Sequence, residues 1–206
     1  MPIFEKGDRK IFFIHIPKTG GTSVIHLLEN AGWQLREDTQ PHHPDRNVWE
    51  TWEENWDSEF CLSRNPYSRF LSQIRYTIPA RPGSTASPTY LMKLSSKVLN
   101  DLIPSHGTRA SENHYLPQID FISSETHWFR LEDQKKDFLQ YLYDRDIISN
   151  KIFTRQYAEK EDIPRENVTN VIPVNVSWRS HQDIHRAFLD LYSCDFKMFG
   201  YNIDKE

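Results

Sequence analysis

Residues 18 to 23 read Lys-Thr-Gly-Gly-Thr-Ser and follow directly on the apolar run Ile11 to Ile16. These residue types suit one task, the holding of an anion. Gly20 and Gly21 let the backbone come close to a ligand and adopt angles closed to other residues. Thr22 and Ser23 offer hydroxyl donors, and Lys18 brings a mobile full charge. Val24, Leu27, Leu28 and Ala31 then recur at helical spacing, and Gly32 stands where a helix would stop. A strand, a tight turn and a helix start would aim free N–H groups and the positive end of a helix dipole at one point. The Walker loop needs a glycine, four residues, then Gly-Lys-Ser/Thr. Here the lysine precedes the glycines and no earlier glycine closes the loop. The expectation is a phosphate loop of another kind, contacted by Lys18, Thr19, Gly20, Gly21, Thr22 and Ser23.

A second element repeats the design. The stretch CLSRNPYSRFLSQIRY, residues 61 to 76, goes from apolar strand to turn to helix. Asn65 is a good helix cap and Pro66 suits the first helical position. Arg64 ends the strand, and Ser72 follows two helical turns on. A guanidinium fork and a hydroxyl in that arrangement suit a second anion. The plainer alternative has Arg64 and Arg69 pairing with carboxylates. Two phosphate grips on neighbouring strand ends fit a nucleotide carrying phosphates at both ends of its ribose. The obvious one is 3'-phosphoadenosine 5'-phosphosulfate, the sulfuryl donor.

The sequence here resembles the carbohydrate sulfotransferase superfamily, of the heparan and chondroitin sulfotransferase type. HIPKTGGTS is similar to its 5'-phosphosulfate loop, and RNPYSRFLS to its 3'-phosphate motif, with the serine eight positions after the arginine. Further matches are YLPQIDFI at 115 to 122, WFRLED at 128 to 133, NVIPVNVS at 170 to 177 and LYSCDFKMFGY at 191 to 201. The resemblance implies a P-loop-like fold and donor-dependent transfer to a hydroxyl, most often on a sugar. A nucleotide kinase or NTPase with an altered loop, and a non-catalytic nucleotide-binding protein, are the alternatives.

Sulfuryl transfer requires in-line attack by an acceptor oxygen, and by analogy with phosphoryl transfer it rests on positioning and charge stabilisation. Lys18 and the loop N–H groups would neutralise charge on the leaving phosphate. A histidine suits the acceptor proton near neutral pH. His42 and His43 lie in a proline-flanked loop between the two phosphate motifs, about twenty residues before Arg64. The resemblance implies a base in that interval, and both satisfy the spacing. His43 is preferred narrowly, because the stretch after it reads as a helix. His15, beside the loop, is expected to pack and order it. His181 and His185 are four apart but lack the His-Glu-x-x-His pattern and read as surface residues. No metal is expected. Glu132 is read as a partner of Arg130 or Arg64, and Asn175, Ser177 and Arg179 as a turn or a fold-over on the 3'-phosphate side.

Elements must position these groups. The chain has 206 residues, 37% hydrophobic, 13% aromatic and 26% charged, with formal net charge -4. That length suits one domain, read as residues 1–206. The acidic balance argues against a nucleic-acid partner and against a polyanionic acceptor. A small-molecule or glycan acceptor is expected, and the residues leave the oligomeric state open. No run is long enough to span a membrane and no signal peptide is recognisable, so a soluble cytoplasmic protein without stable membrane insertion is expected. Cys61 and Cys194 make neither a disulfide framework nor a zinc site.

The pattern predicts strands at 11–16, 33–36, 60–63 and 128–131. It predicts helices after Gly21, over 46–56 with Trp49, Trp52 and Trp56 on one side, and from Pro66 to about Ile78. A further helix runs from Leu91 to a stop at Pro104, another carries Phe138, Leu139 and Leu142, and a last one covers 182–192. Residues 79–88 read as a loop able to act as a flap, and 154–170 as a polar connector. Strands alternating with helices predict an α/β, three-layer fold with a central, mostly parallel sheet flanked by helices.

Overall fold

The structure, a computed structural model, describes residues 1–36, 45–77, 87–106, 113–158 and 180–205. It divides into two compact units, Met1–Arg64 with Phe121–Asn167 and Asn65–Asp120 with Val168–Glu206. The strands are β1 (Ile3–Lys6), β2 (Arg9–Ile14), β3 (Gln34–Leu35), β4 (Ser58–Ser63) and β5 (His127–Arg130). The helices are α1 (Gly21–Asn30), α2 (Arg46–Trp49), α3 (Pro66–Thr77), α4 (Pro88–Lys97), α5 (Ile103–His106), α6 (Lys135–Asp144), α7 (Asn150–Ala158) and α8 (Gln182–Phe199). No helix among the described residues is long and apolar enough to cross a membrane.

The first unit carries the sheet, in the order β3-β1-β2-β4-β5. Strands β2, β4 and β5 run parallel, while β1 pairs antiparallel with both β2 and β3. The fold is mixed α/β, and the sheet is less parallel than the sequence led us to expect. The difference is β1, which turns back on β2 at Gly7, where φ is 61°. An antiparallel return needs only a short turn, not a crossover helix. With Glu5 and Lys6 filling half of its four positions, β1 shows no apolar run.

Ile11 through Ile14 are all fully buried, as an apolar run covered on both faces requires. Alternation divides them. Ile11 and Phe13 join Phe60 and Leu62 in a core with Leu28 of α1 and Phe138 of α6. Phe12 points the other way and meets Trp49, Trp52 and Trp56 at ring-centroid distances of 5.2, 5.9 and 4.4 Å. These tryptophans do not share a helix as expected. The helix stops at Trp49, and residues 51–57 alternate between exposed and half-buried, the period of extended chain. That period turns Trp52 and Trp56 to one side, so Phe12 gathers all three rings.

The second unit is helical among the described residues, with Phe70, Ile74, Leu91, Phe188, Tyr192 and Phe196 in its core. Asn65 caps α3 as expected, its Oδ1 accepting from the N–H groups of Tyr67 (3.0 Å) and Ser68 (3.3 Å). Pro104 does not end the helical run. A π-helical turn, Val98–Leu102, leads into α5, and Pro104 lies in this continuing run just after the π turn. Helix α8 continues past Tyr192 because Phe196 and Phe199 prolong its buried stripe, and it ends at Gly200 with φ 67°. Helix α7 occupies the start of the expected connector, where Phe153 stacks on Tyr143 at 4.7 Å.

Candidate functional site

The three parallel strands send their carboxyl ends to one edge of the sheet of the first unit. Ile14 stands beside Cys61, and Ser63 beside Arg130. Residues 15–20, Arg64 and Leu131 therefore leave from neighbouring strand ends, the usual place for a ligand in an open α/β sheet. The Leu131 N–H donates to Ser63 O at 2.9 Å, extending the β4–β5 ladder to this edge.

The loop after β2 is held from within. Ile16 is buried, and its N–H donates to Ile14 O at 3.1 Å. Thr19 is also fully buried, and its hydroxyl donates to Ile16 O at 2.9 Å. Thr19 thus shapes the loop with its side chain and has only its backbone N–H to offer outward. Lys18 sits at φ 67° and Gly20 at φ 86°, both left-handed. For lysine that region costs of order 1–2 kcal/mol. Gly20 occupies the N-cap position of α1 and makes no side-chain cap, so the first helical turn opens with unadorned backbone. The Ser23 N–H turns back to Gly20 O at 3.1 Å, while Thr22 stands half-buried beside it.

The two glycines serve different ends. Gly20 supplies the dihedral angle, and a β-carbon there would also stand 3.3 Å from Leu131 Cδ1. Gly21 supplies space, because a β-carbon there would land on the His15 imidazole. That ring stacks on Phe13 with centroids 5.7 Å apart. His15 is therefore a packed histidine at the start of α1, as expected.

Arg64 reaches the same place. Its Nη1 donates to the backbone oxygen of Lys18 at 3.2 Å. Two cationic side chains thus meet beside the amino end of α1. Burial first, and the Arg64 charge second, hold the Lys18 ammonium below the ordinary lysine range. Two like charges, one of them half withdrawn from water, form a site that gains from an anion. The residue that follows β4 is the cation Arg64.

Ser72 lies half-buried on α3, in the second unit. His42 and His43 lie outside the described residues, as do Asn175, Ser177, Arg179 and nearly all of the expected flap. Arg130 forks onto Asp133, with Nε–Oδ1 at 2.8 Å and Nη2–Oδ2 at 2.9 Å. His181 is exposed, but His185 is not a surface residue. It is half-buried, and its Nε2 lies 2.7 Å from Tyr67 Oη. Tyr67 Oη also donates to Ile203 O at 3.1 Å. Arg69 is buried and donates to Leu116 O (2.9 Å) and His114 O (3.2 Å), which is structural work.

A pocket of about 210 Å³ lies at the opposite, amino ends of β4 and β5, lined by Trp56, Asp57, Ser58, Glu59, His127 and Arg145 among others. Its buried carboxylate is fully engaged. Glu59 accepts from Trp56 Nε1 (3.0 Å), Ser123 Oγ (2.9 Å) and Thr126 Oγ1. Burial, then the Glu59 charge, push the neighbouring Cys61 thiol up, which removes it as a nucleophile. No expected site residue lines this pocket. No group of His, Cys, Asp or Glu able to hold a metal ion is present among the described residues.

No protein-family model, no curated protein and no solved structure matches the chain.

Proposed function

We propose that this chain is a sulfotransferase. It would move a sulfuryl group from 3'-phosphoadenosine 5'-phosphosulfate to a hydroxyl, on a carbohydrate or glycoconjugate acceptor. In this reading the acceptor oxygen attacks sulfur in line. The bond from sulfur to the 5'-phosphate oxygen breaks, and 3'-phosphoadenosine 5'-phosphate departs. The acceptor proton passes to His43 or His42. Lys18 and the first N–H groups of α1 stabilise the charge that grows on the leaving phosphate, Gly20 and Gly21 admit it, and Arg64 holds the 3'-phosphate.

The observation that carries the reading is the meeting of Lys18 and Arg64 at one sheet edge, joined by the 3.2 Å bond from Arg64 Nη1 to Lys18 O. Two cations there favour a ligand with two anionic groups. The left-handed, lysine-first loop also differs from a Walker loop, and this weighs against ATP hydrolysis.

The test is thermal stability with 3'-phosphoadenosine 5'-phosphate, and separately with ADP and magnesium, for wild type and Arg64→Ala. A ligand at a hundred times its Kd stabilises by about 2.7 kcal/mol, which for a chain of this length raises Tm by roughly 5–10 °C. A shift with the bisphosphate alone, lost in Arg64→Ala, supports the donor assignment, and sulfate transfer from the labelled donor to a panel of sugars then completes it. A shift with ADP–magnesium alone replaces the reading with a nucleotide kinase. Bisphosphate binding without transfer to any acceptor, and without hydrolysis, leaves a binding protein.

A further inference from the structure

We infer that Arg64 is also a positioning residue for Lys18, so that the grip on the 3'-phosphate and the geometry of the 5'-loop are one coupled device. The inference rests on the sulfotransferase reading and deepens it. The guanidinium is expected to hold a phosphate, yet its Nη1 donates to the Lys18 carbonyl at 3.2 Å. Lys18 is the loop residue whose backbone most needs support, since its φ of 67° is unfavourable for a side chain with a β-carbon. The left-handed turn at Lys18 presents its carbonyl to Arg64. The bond from Arg64 stabilises that orientation and thereby fixes where the ammonium starts its reach. Thr19 anchors the following residue through Ile16 O, and Gly20 opens the helix. Lys18 is thus held from both sides, by Thr19 in sequence and by Arg64 across the sheet edge.

A guanidinium is a planar fork of five N–H donors, so holding a carbonyl and holding a phosphate are compatible tasks for one side chain. A ligand that draws on the fork fixes Arg64, and Arg64 in turn fixes Lys18. The 3'-phosphate would then act on the reacting end of the donor without touching it. A residue that only read the 3'-phosphate would have no effect on a ligand lacking that group.

The experiment uses that difference. Titration calorimetry compares 3'-phosphoadenosine 5'-phosphate with adenosine 5'-phosphosulfate, which has no 3'-phosphate, on wild type, Arg64→Ala and Arg64→Lys. Arg64→Ala is expected to weaken both ligands, the 3'-dephospho one by about tenfold, the worth of one charge-assisted hydrogen bond. Arg64→Lys keeps a cationic donor and is expected to bring adenosine 5'-phosphosulfate back to within about threefold of wild type. It should leave the bisphosphate weaker, because a point charge replaces the fork. Amide hydrogen exchange without ligand reads the same effect: residues 18–22 should exchange faster in Arg64→Ala while the β2 and β4 amides stay protected. Unchanged phosphosulfate affinity and unchanged loop exchange in Arg64→Ala overturn the inference and leave the donor assignment standing. Failure of wild type to bind either ligand overturns the reading beneath it.

Discussion

The imidazole of His15 occupies the space that a β-carbon on Gly21 would need. Gly20, one residue earlier, is constrained by its backbone angle of 86°. Adjacent glycines in a short motif thus answer to different physics, and the difference can be measured. Gly20→Ala pays for a left-handed alanine whatever its neighbours, of order 1–2 kcal/mol. Gly21→Ala should cost about 1–3 kcal/mol through steric conflict, and should be relieved by a second change. The double variant Gly21→Ala/His15→Ala is expected to recover at least half of the lost urea stability, whereas Gly20→Ala/His15→Ala is not. Losses at Gly21 and His15 that simply add would remove the steric account.

The depressed Lys18 ammonium gives a proton signature for anion binding. Burial and Arg64 both disfavour its charged form. Below the ordinary lysine value and above the depressed one, the unfolded chain therefore binds a proton that the native chain lacks, and stability rises with pH across that window. A bound phosphate offsets both causes and raises the Lys18 value again. Binding of 3'-phosphoadenosine 5'-phosphate within that window, just below the ordinary lysine value of about 10.4, should take up protons. Calorimetry in buffers of different ionisation enthalpy reads the uptake directly, and Lys18→Met should abolish it. Equal heats in all buffers would mean that the ammonium does not face the ligand. The same variant should lower the transfer rate by about 10²–10³, the usual worth of one charge stabiliser.

Much of the first unit's working edge is legible in the sequence. The apolar run, the two glycines and the helical spacing after them fix β2, the loop and α1. Asn65-Pro66 fixes the start of α3. These signals are local, made by neighbours within a turn or a strand. What the sequence hides depends on distant partners. Trp49, Trp52 and Trp56 sit at spacings that suit a helix, but Phe12, far earlier in the chain, collects them as extended chain does. Glu59 looks like a surface charge until Ser123, Thr126 and Trp56 surround it. His15 reads as a loop neighbour, and its value lies in the side chain that Gly21 lacks. At Arg64 the charge and place suggested a phosphate grip, and nothing local showed the bond to Lys18 O.

The base prediction rests on residues 42 and 43 and is tested by function. His43→Ala and His42→Ala, singly and together, should leave affinity for 3'-phosphoadenosine 5'-phosphate unchanged. Transfer should fall by about 10²–10⁴ when the base is gone. The single variant that carries the fall identifies the base. A double variant that transfers sulfate at the wild-type rate would move the proton to another acceptor.

The charged residues buried in the second unit make a stability prediction that does not depend on any ligand. Asp195 is fully buried on α8 and accepts from the N–H groups of Gln118 (2.9 Å) and Ile119 (3.0 Å). It thereby caps the short 3-10 helix Gln118–Phe121. Burial disfavours its charge, while Arg69 and the donors from Gln118 and Ile119 oppose that effect. Arg69 in turn is buried and carries the carbonyls of Leu116 and His114, so it holds the segment before the 3-10 helix while Asp195 holds that helix's first turn. Asp195→Asn removes one of the charges that favour the buried Arg69 cation, which should cost about 3–5 kcal/mol. Arg69→Met should cost a similar amount for the mirror reason. The double variant removes both charges and should fall well short of the sum, with a coupling of about 1–3 kcal/mol in urea denaturation. Additive single losses would show that each residue acts only through its own hydrogen bonds, and that the field between them contributes nothing.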